Sequence, residues 1–350
     1  MSKPLWSQIY EELERDILSG KFAPDAALPP ELEIAARWGV SRLTAHRALY
    51  ELQRAGFVTR KRKVGTVVLA QRTPQARRIG ALFFHAGDFF QGNLLGAVRS
   101  GLSEECHLSY VDTNRDAALE AAALQKMREE SDGIVLFPTC DPANDALLTR
   151  LVEENVPLVC IDRHPARVPC DSVQTDNYAA TRWLLQGLVT DGHQRIACVC
   201  DFEEPVSSTG DRVRAYRDLM EMTGGDSRRW FHAFPYLAPD SEEEYRQMVE
   251  MARDAIAEMR DGGEPPTAVF CTREHYATAF LEAWGAEGTP EVAAFVDRPS
   301  YLMALPDTVR RVTQDLDAIG RLAAERSARR VRGEPLEPEQ FLVPAREMAE

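Results

Sequence analysis

Apolar positions near the start of the chain recur at helical spacing. Trp6, Ile9, Leu13 and Ile17 lie three and four residues apart, which predicts an amphipathic helix over 4–19 that Gly20 ends. The stretch KFAPDAALPP then reads as a loop marked by its prolines. A short helix is expected over Glu31–Trp38, with Leu32, Ala35 and Ala36 turned inward and Gly39 breaking it. Ser41 suits the N-cap of a third helix that runs to about Arg54. Its apolar stripe is Ala45, Ala48, Leu49 and Leu52, and Gly56 ends it. The periodicity then shortens: Phe57–Thr59 and Thr66–Leu69 are strand-type runs flanking a basic tip, RKRKVG, and form a hairpin.

Three helices and a two-stranded wing define a winged helix-turn-helix, in which the second helix braces the third against a major groove. The polar segment AQRTPQARR, 70–78, has no apolar period and reads as a linker. Beyond it the pattern alternates. Short apolar runs at IGALFF, LSYVD, GIVLF, PLVCI, SVQTD, RIACVC, TAVFC and EVAAFV are mostly separated by longer helical patterns. Such alternation predicts an α/β fold with parallel sheets, and the length suits two lobes. The domains expected are therefore 1–69, a linker 70–78, and 79–350. Within the last, lobe 1 is expected at about 79–161 and 298–330, and lobe 2 at about 162–297 and 331–350. Ligands of such sheets bind outside the carboxyl ends of the strands, which places a small molecule between the lobes.

Charge sharpens this division. The chain has 350 residues and a net charge of −14. Residues 1–78 hold 14 Lys/Arg and 8 Asp/Glu, a net +6; the remainder holds 27 and 47, a net −20. A basic head on an acidic body confines nucleic-acid contact to the head. No apolar run is long enough for a membrane span, and acidic residues occupy the place of a signal-peptide core, so a cytoplasmic protein is expected. The seven cysteines form no C-x-x-C pair and have no metal-ligand spacing, so they are read as reduced, buried thiols with no metal or cofactor. G-x-S-x-G, a P-loop and G-x-G-x-x-G are all absent, which argues against an enzyme.

The segment LPPELEIAARWGVSRLTAHRALYELQRAGFVTRKRKVGTVV resembles the GntR family of bacterial transcription regulators. DGIVLF, VPLVCIDR, DSVQTDNYAATRWLL, DGHQRIACV, DRVRAY and VTQDLDAIGRLAAERSARRV resemble, in order and spacing, the effector domain of the LacI/GalR family, which has the periplasmic-binding-protein fold. The pairing is similar to arabinose-responsive repressors. For the head, the resemblance implies Arg42 as a base reader, with His46 four residues on and on the same helix face. It also implies Ser41 and Thr44 as contacts to phosphate or helix backbone, and Arg47, Lys61, Arg62, Lys63, Gly65 and Thr66 as further contacts of helix and wing. Departures from the family pattern are His46 in place of arginine, Leu32 in place of a polar residue, and Lys63 in place of a wing glycine.

For the body, the resemblance implies an effector site at Phe89, Phe90, Asp162, Arg163, Ser208, Arg212, Asp297 and Gln314. Arg273 and Glu274 stand where the family has Asn-Asp. Convergence of Arg163, Arg212 and Arg273 would favour an acidic or phosphorylated sugar; pairing of Arg273 with Asp297 or Glu274 would not. Asp176 and His193 are further family landmarks, the histidine expected to satisfy a backbone group at a turn. The expected function is a DNA-binding regulator, a repressor, acting as a homodimer on a near-palindromic operator and controlled by a sugar-like effector. The alternatives are an orphan regulator without effector, or a solute-binding or sensor protein.

Overall fold

A computed structural model of the chain describes residues 4–70, 77–85, 87–104, 106–201, 206–235, 242–261, 263–285, 288–296 and 305–347. The head comprises α1 (Leu5–Leu18), α2 (Glu31–Trp38), α3 (Arg42–Arg54), β1 (Val58–Lys61) and β2 (Gly65–Val68). Ile9, Leu13, Ile34, Ala45, Ala48, Leu49, Leu52 and Phe57 meet in one core, so the helical stripes of α1 and α3 face inward as their periods require. α2 departs from its expected phase. Ile34 and Ala35 are buried, whereas Leu32 is 67% exposed and Ala36 is also exposed. In a helix of 8 residues, one turn of contact with α3 fixes the rotation, and the larger Ile34 occupies it.

Ser41 caps α3, its Oγ accepting from the Thr44 amide at 3.1 Å, which satisfies one orphan donor of the first turn. β1 and β2 pair antiparallel with Lys61 opposite Gly65. The turn between them holds Lys63 at φ 65° and Gly65 at φ 107°. A left-handed non-glycine residue costs about 1 kcal/mol, so the lysine at the missing wing glycine is accommodated at a modest cost.

The body contains β3 (Arg77–Phe83), α4 (Phe89–Gly101), β4 (Cys106–Asp112), α5 (Ala117–Glu130), β5 (Gly133–Leu136), α6 (Asp145–Glu153), β6 (Leu158–Ile161) and β7 (Asp171–Thr175). These are followed by α7 (Asn177–Thr190), β8 (Ile196–Asp201), α8 (Ser207–Thr223), β9 (Phe231–Phe234), α9 (Glu242–Asp261), β10 (Ala268–Cys271), α10 (Glu274–Trp284) and β11 (Glu291–Phe295). β12 (Arg310–Thr313), α11 (Leu316–Val331), β13 (Gln340–Val343) and β14 (Arg346–Glu347) complete it. One sheet has the order β13-β7-β6-β5-β3-β4, the other β14-β12-β11-β10-β8-β9. Every pairing in them is parallel except that of β12 with β14.

This sheet membership corrects the expected lobe limits. β7 belongs to lobe 1, not lobe 2, because it pairs with β6. β12 belongs to lobe 2, paired with β11, and β13 returns to lobe 1 beside β7. The crossovers therefore follow β7, β12 and β13, rather than residues 161, 297 and 330. β3 begins at Arg77, inside the expected linker, and residues 71–76 lie outside the described residues.

α11 packs on α4 at very short range. A Cβ built on Gly320 would sit 2.4 Å from Ala97 Cβ and 2.8 Å from the Val98 amide nitrogen. Gly320→Ala is expected to destabilise lobe 1 by about 1–3 kcal/mol through overpacking, read as a lower denaturant midpoint; an unchanged midpoint would show that the helices separate freely.

Asp171, fully buried at the start of β7, ties the same lobe together. Arg326 Nε donates to its Oδ2 at 2.9 Å and Arg326 Nη2 to its Oδ1 at 3.0 Å, while Arg330 Nε also reaches Oδ2. The Glu339 amide donates to Oδ1 at 2.9 Å. One carboxylate thus joins β7, α11 and the approach to β13.

The head docks on lobe 1 through α3. Arg54 Nη1 lies 3.4 Å from Asp132 Oδ1 and donates to Glu51 at 2.9 Å. Arg47 Nη1 donates to the Asn155 carbonyl at 3.1 Å, and its guanidinium sits 5.1 Å from the Trp6 ring. Among the described residues no helix is long and apolar enough to cross a membrane.

Candidate nucleic-acid interface and interlobe site

The exposed face of the head is organised by one acid. Glu31, the first residue of α2, receives Arg42 Nε at 3.0 Å, His46 Nδ1 at 2.8 Å and Arg60 Nη2 at 2.5 Å. Burial alone would raise its carboxyl pKa, but hydrogen bonds from His46 and Arg42 and the nearby positive charge hold it below the usual range. Glu31 therefore stays ionised and aligns the cluster. The Arg42 side chain is 70% exposed and that of His46 39%. They share a face, as their four-residue spacing requires, and the arginine fork stands at the first turn of α3, where recognition helices meet base edges.

The other expected head contacts divide. Arg62, Lys63 and Gly65 are exposed on the wing, as is Lys61, which pairs with Asp25 at 3.1 Å. Ser41 and Thr44 bond each other at 2.9 Å within the cap. Two expectations are corrected. Arg47 faces the body, because one step along a helix turns it by about 100° from His46. Thr66 is buried, its carbonyl accepting from the Leu28 amide at 2.8 Å, so its side chain presents no surface to a phosphate.

In the body, the expected residues gather at the carboxyl ends of strands. Asp162 follows β6 in a left-handed conformation, φ 66°, and is buried. Arg163 is 4% exposed, with its guanidinium 5.2 Å from the Phe84 ring and 4.9 Å from Phe137. Its Nε and Nη1 have no hydrogen-bond partner among the described residues, although Asp162 Oδ2 is 3.5 Å from Nε. Across the crossover, the His164 amide donates to Ser207 Oγ at 2.9 Å, and Thr175 Oγ1 donates to Gln314 Oε1 at 2.5 Å. Ser208 is buried in the first turn of α8.

Arg212 is buried, donating from Nε to Asn177 at 2.8 Å and from Nη1 to the Thr272 carbonyl at 2.6 Å; it stacks 3.5 Å from the Phe295 ring. Arg273 pairs with Asp201, with Nη2 at 2.8 Å and Nε at 3.0 Å from Oδ2. Two of the three arginines expected to converge are thus already engaged: Arg273 by a buried acid, and Arg212 by an amide and a carbonyl. Glu274 opens α10. Phe89 is 40% exposed, while Phe90 packs edge-on to Phe137 at 6.4 Å. Asp297 lies outside the described residues.

Sequence reasoning missed Asp201, Glu31, Phe84 and Phe137. For Asp201 a signal existed, an acid ending the apolar run IACVC at the sheet edge where ligands bind. His193 bonds side chains rather than backbone, with Thr267 Oγ1 and Glu291 Oε2 each at 3.0 Å. Asp176 caps α7.

Asp201 carries a pH prediction. Burial raises its pKa, but the charge and hydrogen bond of Arg273 overcome this and hold it down to about 2. A carboxyl lowered on folding contributes stability that is complete above its unfolded pKa, about 4, and is lost as pH falls through the folded value. Wild-type melting temperature should therefore fall more steeply than that of Asp201→Asn between about pH 4 and 2. Parallel curves would mean that the pair contributes nothing.

A winged head with an exposed basic reading face, joined to a two-lobed body of parallel sheets, defines a DNA-binding regulator with a sensor-type body. The profile of "Bacterial regulatory proteins, gntR family" matches residues 5–68, and that of "Periplasmic binding protein-like domain" matches 185–349. The chain thus joins a GntR-family DNA-binding domain to a periplasmic-binding-protein-like domain, and is a transcriptional regulator rather than an enzyme. It is 25% identical over 325 residues to the arabinose metabolism transcriptional repressor of Geobacillus stearothermophilus, covering 89% of this chain and 86% of that one. Among solved structures, the Cra transcriptional dual regulator of Pseudomonas putida in complex with fructose 1-phosphate aligns at TM-score 0.61 and 16% identity, covering 79% of this chain and 100% of that one. An ABC transporter solute-binding protein of Bacillus halodurans with bound myo-inositol aligns at 0.65 and 14%, covering 79% and 95%. At such identities these two structures speak for the fold alone.

Proposed function

We propose that the chain is a transcriptional repressor that binds a near-palindromic operator as a homodimer in the cytoplasm and is controlled by a sugar or sugar derivative held between its lobes. The carrying observation is the Glu31–Arg42–His46–Arg60 cluster on an exposed face, together with polar groups of both lobes gathered at strand ends. Arg42 reads a base edge, with His46 beside it at a base-reading position; Arg60 and the exposed wing cations fix register on phosphates. The likeness to an arabinose repressor over 89% of the chain supports both the sugar class and the repressor role.

Charge narrows the effector. Arg273 is balanced by Asp201 and Arg163 stands beside Asp162, so a polyhydroxy ligand with at most one negative charge fits better than a multiply charged one. Effector that prefers one lobe arrangement shifts DNA affinity by the same coupling free energy by which DNA shifts its own affinity.

The test has two arms. Selection of duplexes from a random pool should return a two-fold symmetric site. A thermal-shift series of neutral and acidic sugars should then raise the melting point by mass action and weaken binding to that site. A selected site with no responding sugar would remove the effector role and leave an orphan regulator.

A further inference from the structure

Lobe 1 carries two thiols that neither DNA reading nor the interlobe site uses. Cys160 lies in β6, and Cys170 immediately precedes β7. The strands are parallel neighbours with Cys160 opposite Ser172, so Cys170, two residues before Ser172, projects to the same face. The two sulfurs stand 3.5 Å apart. A disulfide requires about 2.05 Å, so roughly 1.5 Å of approach would close it.

The segment between them serves two functional regions. At one end are Asp162 and Arg163 of the interlobe site, with the His164 amide bonded to Ser207 of lobe 2. At the other end, Pro169 and Cys170 line a cavity at the junction of head and body, together with Trp6, Arg47 and Gly333. Cys160 is fully buried behind them. Cys170 is 4% exposed and lines that cavity, whereas Cys160 is 0% exposed and does not line it.

We propose that Cys160 and Cys170 are a reversible dithiol–disulfide pair, oxidised by a hydroperoxide entering at the head–body junction, with Cys170 attacking and Cys160 resolving. The Cys170 thiolate attacks the peroxide oxygen; the O–O bond breaks, and with hydrogen peroxide one water leaves as Cys170 becomes a sulfenic acid. The Cys160 sulfur then attacks that sulfur and displaces a second water. Two thiols and one peroxide give one disulfide and two waters. The division of labour fits the local electrostatics. The hydrogen bond shared by the two sulfurs, with His164 assisting, lowers the Cys170 thiol pKa against the opposing effect of burial, while the same bond and burial raise that of Cys160. The cross-link tightens the 161–169 segment, and so acts at once on the effector side and on the seat of the head.

Full-length reduced protein is treated with hydrogen peroxide, quenched, unfolded, alkylated and digested with trypsin. Arg163 and Arg167 lie between the two cysteines, so cleavage leaves peptides held together only by the disulfide. The expected product is a Cys160–Cys170 cross-link that dithiothreitol reverses, with Cys198, Cys200 and Cys271, all buried in the lobe 2 sheet, still alkylated. In Cys160→Ser the cross-link is lost and Cys170 is trapped by dimedone as a sulfenic acid. Wild-type protein in which Cys160 bonds Cys140 instead would overturn the proposal. So would Cys170 proceeding to sulfinic acid beside a free Cys160 thiol, or all seven thiols surviving peroxide that oxidises free cysteine.

Discussion

Arg42→Ala is expected to lower affinity for the selected operator by about ten- to a hundredfold, the 1–3 kcal/mol of one bidentate base contact. Affinity for unrelated duplexes should fall much less, because one phosphate-directed charge contributes only a fraction of the electrostatic term. The His46→Ala loss should be several-fold smaller than that of Arg42→Ala. His46 is less exposed than Arg42, and an imidazole has fewer donors than the five of a guanidinium fork. His46→Arg should steepen the salt dependence by adding a permanent charge facing the backbone. Fluorescence anisotropy titrations at several salt concentrations measure all three variants. Equal losses for the two alanine variants would sink the assignment of Arg42 as principal reader.

The largest stability effect is expected at Asp171. Asp171→Ala leaves Arg326, 5% exposed, with only the Glu337 carbonyl and the Glu339 carboxylate at 3.8 Å, and leaves Arg330 and the Glu339 amide without the Asp171 carboxylate. Removing one partner of a buried ion pair typically costs about 3–5 kcal/mol, because the remaining charge is uncompensated. Burial raises the Asp171 pKa, but hydrogen bonds from Arg330 and Arg326 outweigh it, so the carboxyl is lowered overall. Its contribution is therefore present at neutral pH and lost only as pH falls through that lowered value. A denaturation curve of the variant should show lobe 1 melting early while lobe 2, built on another sheet, keeps its own transition. An unchanged lobe 1 transition would show that the arginines find other partners.

The head was largely legible in the sequence because its stripes repeat over α1 and α3, and capping and turn residues mark their ends. α2 was not, since in so short a helix two phases compete, and Leu32 and Ala36 turned outward. In the body, most buried strands gave continuous apolar runs, as expected of parallel strands covered on both faces; β7 is buried throughout although DSVQT has one apolar residue. The omitted ones, β9, β12, β13 and β14, are short or lie at sheet edges, with sequences such as RRVT in which Val312 alone is fully buried. The lobe limits were misplaced because they depend on which neighbour β7, β12 and β13 choose, a long-range pairing that local pattern does not record. The site residues were legible as positions but not as partners. Nothing in the spacing tells that Arg273 meets Asp201, 72 residues earlier, or that Arg47 turns from the groove to lobe 1.

That last contact changes what α3 is. One side of its 13 residues exposes Arg42 and His46, the side chains proposed to meet DNA, while the opposite flank seats Arg47 and Arg54 on Asn155 and Asp132. Asn155 and Asp132 immediately precede the segments that lead into β6 and β5, whose far ends bear Arg163 and Phe137. A shift of lobe 1 strands can thus tilt the recognition helix directly, as a rocker on a fixed pivot, without tension in the tether between the domains. Lengthening that tether should leave ligand control intact, whereas Asp132→Ala should uncouple it.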